Sequence, residues 1–248
     1  MRYRLTIEYD GSGFSGWQKQ QDKITVQDVL EKAVSVALRQ PTEVQGSGRT
    51  DAGVHALAQV AHFDYPEALS DRECGRLRES INALVRPYPV SVHEIVATTA
   101  DFHARFSARQ REYVYRIQNT RFPPALDRER VWWFSRPLDV DKMQEAGDLL
   151  IGKHDFSTFR AAQCQAKSPV KTLDFLSVSR QGDMIEIRLK ARSFLYHQVR
   201  NIAGSLVAVG CGKWTVDDFK RAFEACDRTK GGETAPSAGL YFVGVRYE

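Results

Sequence analysis

Cysteine is scarce in this chain. The four present, Cys74, Cys164, Cys211 and Cys226, are widely scattered, with no Cys-x-x-Cys pair and no Cys/His cluster at zinc spacing. Reduced thiols in a cytoplasmic protein are the expected state. The six histidines (His55, His62, His93, His103, His154 and His197) offer no metal-ligating spacing either, so no metal is expected. No apolar run approaches the roughly 18 residues of a membrane span. Met1 to Tyr9 alternates from the start and lacks an apolar core segment, so no signal peptide is expected. A Gly-x-Ser-x-Gly elbow and a Walker A loop are both missing, as is any low-complexity linker. Net charge is only +4.

What is present reads as an ordinary globular chain, with 42% hydrophobic and 27% charged residues over 248 positions. The small net charge is unevenly placed. Seven arginines between Arg105 and Arg130 face only Glu112, Asp127 and Glu129, so this window alone carries the whole +4. Positive charge gathered in one segment suits a polyanion footprint.

Period-two alternation marks strands over 3–9 (Tyr3, Leu5, Ile7 and Tyr9 on one face), 185–192 (Ile185, Ile187, Leu189 and Ala191) and 241–247 (Tyr241, Val243, Val245 and Tyr247). One-sided alternation argues for antiparallel sheet. Thr25 with Asp28, Ser70 with Glu73, and Thr215 with Asp218 read as helix starts. A fourth helix is predicted from about Leu195 to Val209. The order strand, helix, strand, helix, strand ends near Val96, and a second α+β set begins at Glu112. Two halves are expected, 1–106 and 107–248. Tyr-x-Leu-x-Ile at 3–7 against Tyr-x-Tyr-x-Ile at 113–117 hints at pseudo-symmetry with a cleft between them.

The segment Gly46 to His55 draws most attention. It places one carboxylate, Asp51, in a loop punctuated by Gly46, Gly48 and Gly53, which suggests positive φ or close packing against the backbone. Arg49 lies two positions from Asp51, so an extended chain would put both side chains on one side. A nucleophilic or basic carboxylate must be ionised, and a neighbouring arginine favours that form. Arg49 can serve, and so can Arg200 from the second half. Tyr113 leaves the arginine-rich segment on a strand, where aromatics beside cations suit base stacking. A turn with a surface ion pair, a helix-surface Arg200 and a core Tyr113 are the plain alternatives. His55 reads as structural.

Five segments in order carry a resemblance. They are Tyr9-Asp10-Gly11 with Phe14-Ser15-Gly16-Trp17-Gln18; Gly48 through Ala56; Phe102 through Ala108 with Arg111-Glu112-Tyr113-Val114-Tyr115; Phe194 through Ile202; and Ala235 through Leu240. Together they resemble the tRNA pseudouridine synthases of the bacterial A type, end to end. The resemblance implies the pseudouridine synthase fold, with two pseudo-symmetric α+β halves, mostly antiparallel sheets and a central active-site cleft. It implies an isomerase that converts uridine to pseudouridine at nucleotide positions 38, 39 and 40 of the tRNA anticodon stem–loop. No cofactor is implied, and a homodimer is. By the same resemblance Asp51 is the catalytic residue and Tyr113 stacks on the uracil. Arg200 pairs with Asp51, and Arg49 helps extrude the target nucleotide. Whether Asp51 attacks the base, attacks the sugar or removes a sugar proton stays open.

Overall fold

The computed structural model describes all 248 residues, Met1–Glu248. Contacts divide the chain into two units, Met1–Arg109 with Phe242–Glu248, and Gln110–Tyr241. Ten strands and five α-helices give a mixed α+β protein whose strand pairing is largely antiparallel.

The first unit runs β1 (Arg2–Tyr9), α1 (Val26–Leu38), β2 (Gln45–Gly46), β3 (His55–Asp64), α2 (Asp71–Leu84) and β4 (Val90–Thr98). Its strands lie in the order β4-β1-β3, and the short β2 adds to β3. Alternation in β1 works as expected, with Tyr3, Leu5 and Ile7 fully buried and the residues between them partly or fully open. β3 departs from alternation. From Gln59 to Phe63 every residue is buried, because chain covers both faces of this central strand. Thr25 and Ser70 cap α1 and α2 through their side chains, and Ser70 with Glu73 forms a full capping box.

The second unit comprises β5 (Gln110–Gln118), β6 (Trp132–Trp133), α3 (Val140–Asp148), β7 (Gly152–Asp155), β8 (Val170–Gln181), β9 (Met184–Ala191), α4 (Gln198–Gly210) and α5 (Val216–Glu224). Its strand order is β5-β9-β8-β7, with β6 parallel to β5. Tyr113 pairs with Leu189 and Ile117 with Ile185, so the alternating core faces of β5 and β9 coincide. The fourth helix starts at Gln198 rather than Leu195. His197 sits at its N-cap with φ 61, a left-handed conformation that a helical residue cannot hold. Thr215 and Asp218 box the start of α5 as expected.

The last strand, β10 (Leu240–Arg246), has a twist in its burial. Leu240, Tyr241 and Phe242 are buried in succession, so its first half is covered on both faces and one-sided alternation fails there. Phe242 onward belongs to the first unit, where β10 lies beside β3.

Candidate active-site loop and its surroundings

Asp51 stands in the connection between β2 and β3, half-buried. Its carbonyl accepts the Val54 N–H at 3.2 Å, closing a turn in which Gly53 has φ 77. A positive φ at the third position is what a type II turn asks of glycine. Gly46 meets the other expectation, because a Cβ there would stand 2.6 Å from the Trp17 ring.

The chain segment 9–17 clamps this loop, a feature that spacing alone did not reveal. The Thr50 carbonyl accepts from Trp17 N–H at 3.0 Å, and Gly53 N–H donates to Phe14 at 3.3 Å. A Cβ on Gly11 would lie 2.0 Å from the Val54 oxygen, and one on Gly16 2.6 Å from the Thr50 oxygen. Backbones this close leave room for glycine alone. Polar side chains finish the clamp. The Tyr9 hydroxyl meets Thr50 Oγ1 at 2.8 Å, and burial raises the Tyr9 pKa far above the ordinary phenol range. Ser47 Oγ donates to Gln59 Oε1 at 2.6 Å, and Gln59 Nε2 returns to the Gly48 carbonyl at 3.0 Å. His55 is 2% exposed and its Nδ1 accepts the Gly11 N–H at 3.0 Å, with Asp10 Oδ1 3.1 Å from the same nitrogen. That is the structural role read from sequence.

The base of the loop is the pairing of Gln45 with His62. Burial first, then the charge of Arg2, lowers the His62 pKa to about 4, so this imidazole is neutral near pH 7. Its Nδ1 accepts the Ala104 N–H at 3.3 Å.

Arg49 is exposed at the rim of the loop, where it lines a groove with Trp17, Gln18, Gln45, His103, Arg105 and Phe106. Tyr113 and Arg200 belong to the second unit. Tyr113 is 9% exposed on β5, against 0% for Tyr115 two residues on, and its ring meets Phe194 edge-on at 5.1 Å. Tyr115 is a core residue, with its hydroxyl donating to the Pro236 carbonyl at 2.7 Å. Arg200 is the single residue of α4 that is not buried. Its Nε donates to the Ala235 carbonyl at 2.7 Å, and its Nη1 lies 3.2 Å from His197 Nε2. Two anchors on one guanidinium fix its direction.

The basic window is shared between the units, with Arg105 and Arg109 in the first and the remaining five arginines in the second. Part of it is structural. Arg116 pairs with Glu186 at 3.0 Å and lies over the Tyr241 ring at 4.5 Å, and Arg111 Nη1 donates to the Arg192 carbonyl at 2.6 Å. All four cysteines are free thiols, no group of three or more His, Cys, Asp or Glu is placed to hold a metal ion, and no helix is long and apolar enough to cross a membrane.

Comparison with known proteins follows the same residues. A family model described as tRNA pseudouridine synthase matches residues 5–107 and 146–248. Asp51, Arg49 and Arg200 fall inside the matched segments and Tyr113 falls between them. Among curated relatives, "tRNA pseudouridine synthase A" of Rhodospirillum rubrum is 53% identical over 247 residues, covering 100% of this chain and 88% of its own. The protein of the same name from Paramagnetospirillum magneticum is 53% identical, covering 99% and 95%, and that from Brucella ovis is 52% identical, covering 99% and 98%.

Proposed function

The chain belongs to the tRNA pseudouridine synthase family, an isomerase family, and from that premise we propose that it converts uridine to pseudouridine in the anticodon stem–loop of tRNA, at nucleotide positions 38, 39 and 40. In this reaction the bond from the ribose to N1 of uracil breaks, the base turns, and a bond to C5 replaces it. The C5 proton leaves and N1 regains one, so the net change is an isomerisation. Asp51 is the carboxylate that acts on the target nucleotide. Arg200 is its cationic partner and keeps it ionised. Tyr113 stacks on the uracil, and Arg49 holds the position the nucleotide vacates.

One observation carries the reading: homology over essentially the whole chain, together with a loop that commits buried polar groups and two glycine contacts to holding one carboxylate. A binding module would gain nothing from so costly a fixture. Extruding a paired base costs a few kcal/mol, and stacking on one aromatic returns about 1–3 kcal/mol. Tyr113 therefore offsets much of the cost. A cytoplasmic location and a homodimer, whose two basic surfaces together span the tRNA, complete the proposal.

Transcribed tRNA labelled with tritium at uracil C5 tests it, because pseudouridine formation by the purified protein expels that atom. The wild type is expected to release tritium, and Asp51→Asn to lose at least about 10³-fold in rate while still binding the transcript. Normal release by Asp51→Asn would overturn the assignment, and a mass-spectrometric map of the product would locate the modified nucleotides.

A further inference from the structure

Phe106 is 74% exposed, yet the turn that presents it is tightly built. The Ser107 N–H donates to the His103 carbonyl at 2.9 Å, and the His103 N–H donates to Ser107 Oγ at 2.9 Å. His103 Nδ1 then accepts the N–H groups of Arg105 and Phe106, at 3.1 and 3.4 Å. Accepting at Nδ1 requires the unprotonated nitrogen. Burial and the Arg2 charge lower the His103 pKa, which agrees. The His103 ring is itself held, 4.7 Å from His62, and its centroid lies 4.3 Å from that of Phe106. The Arg105 guanidinium stands 5.8 Å from the Phe106 ring centre. A large aromatic held out in water by an ordered turn, with a cation over its ring, gains nothing for folding by that placement.

Beside it runs the groove that Arg49 shares, lined chiefly by polar side chains. Its occupant must therefore offer a flat apolar face, hydrogen-bonding edges and negative charge together. Among biological polymers an unpaired nucleotide combines all three. We propose that this groove is a second nucleotide subsite in the first unit, separate from the position of the reacting uridine. It receives one unpaired RNA nucleotide, with its base on Phe106 and its phosphate toward Arg105. Exposed Gln18 and half-buried Gln45 face the base edge. Gln27 instead spends its amide on Lys19 N–H, Glu31 and the Val44 carbonyl, and serves the wall. The inference rests on the tRNA reading above and adds to it a nucleotide that is bound without being changed.

Fluorescence anisotropy with an unmodified tRNA transcript, at several salt concentrations, tests the subsite. Phe106→Ala should raise Kd by about five- to 150-fold, the loss of one stacked base, with the salt slope unchanged because stacking releases no counterions. Phe106→Tyr should stay within about threefold of wild type, since a phenol stacks as a phenyl does. Arg105→Gln should instead flatten the slope by about 0.7. Irradiating wild-type complex made with 5-iodouridine transcript, and mapping the joined peptide, should recover the segment containing Phe106. This second readout holds even if Phe106→Ala misfolds. An unchanged Kd for Phe106→Ala overturns the subsite, as does a cross-link that avoids residues 103–107. Loss of binding that tracks only a change in oligomer mass also overturns it, in favour of a protein contact. Failure of the wild type to bind any transcript would refute the tRNA reading itself, and the two failures are thereby distinct.

Discussion

The loop holding Asp51 and the helix holding Arg200 solve one problem by opposite means. α4 is buried along twelve of its thirteen residues, so apolar contact fixes the backbone and the one open position is handed to Arg200. The Asp51 loop buries little apolar surface and repeats no pattern. It is held by backbone-to-backbone contact at Gly11 and Gly16 and by paired buried polar groups. Steric fit in the loop is all-or-none, whereas packing in the helix is spread over many atoms. A single wrong atom should therefore hurt the loop more.

Gly11→Ala gives the largest expected effect on stability. Its Cβ would fall 2.0 Å from a carbonyl oxygen that the turn fixes, so the loop must open. A cost of about 3 kcal/mol or more is expected, read by urea unfolding, with tritium release falling in step.

Acid attacks the same loop at its base. His62 has a folded pKa of about 4, below the unfolded value of about 6.5. Stability is full above about pH 6.5 and is lost as pH falls toward 4, by up to about 3 kcal/mol. His103, also lowered, acts in the same direction. Unfolding measured from pH 7 to 4 should show this decline, and His62→Asn should flatten it. An equally steep decline in His62→Asn would remove His62 as its source.

The helix offers the smaller effect. Asn201, fully buried in α4, donates to the Phe159 carbonyl at 2.9 Å and accepts from Thr234 at 2.7 Å and Arg228 at 3.2 Å. Asn201→Ala should cost about 2 kcal/mol in urea unfolding, below the cost of Gly11→Ala. The reverse ranking would break the comparison.

Sequence was most informative where the cause of structure is local. Thr25, Ser70 and Thr215 start helices because each reaches only three residues ahead, and β1 and β9 show their alternation directly. It was least informative where partners are distant. The glycines at 46, 48 and 53 stand out in the sequence, yet Gly11 and Gly16, some forty residues away, are where backbone meets backbone. The sequence patterns leave out α3 and β8, and the apolar, in-phase Leu195 puts the start of α4 three residues early. Only the left-handed His197 reveals the true start. Phe106 was visible as part of a motif, but its exposure is a three-dimensional fact. The four-residue reach from His103 to Ser107 is the one local signal of its pinning.

The placement of Phe242–Glu248 also bears on how the molecule is made. These residues complete the first unit beside β3, yet a ribosome reaches them only after the entire second unit has been synthesised. The unit that carries Asp51 begins first and is finished last. Until then β3 lacks a neighbour along one edge, and an unpaired strand edge recruits other chains. Growing chains that stall inside the second unit should therefore be the ones that need chaperones.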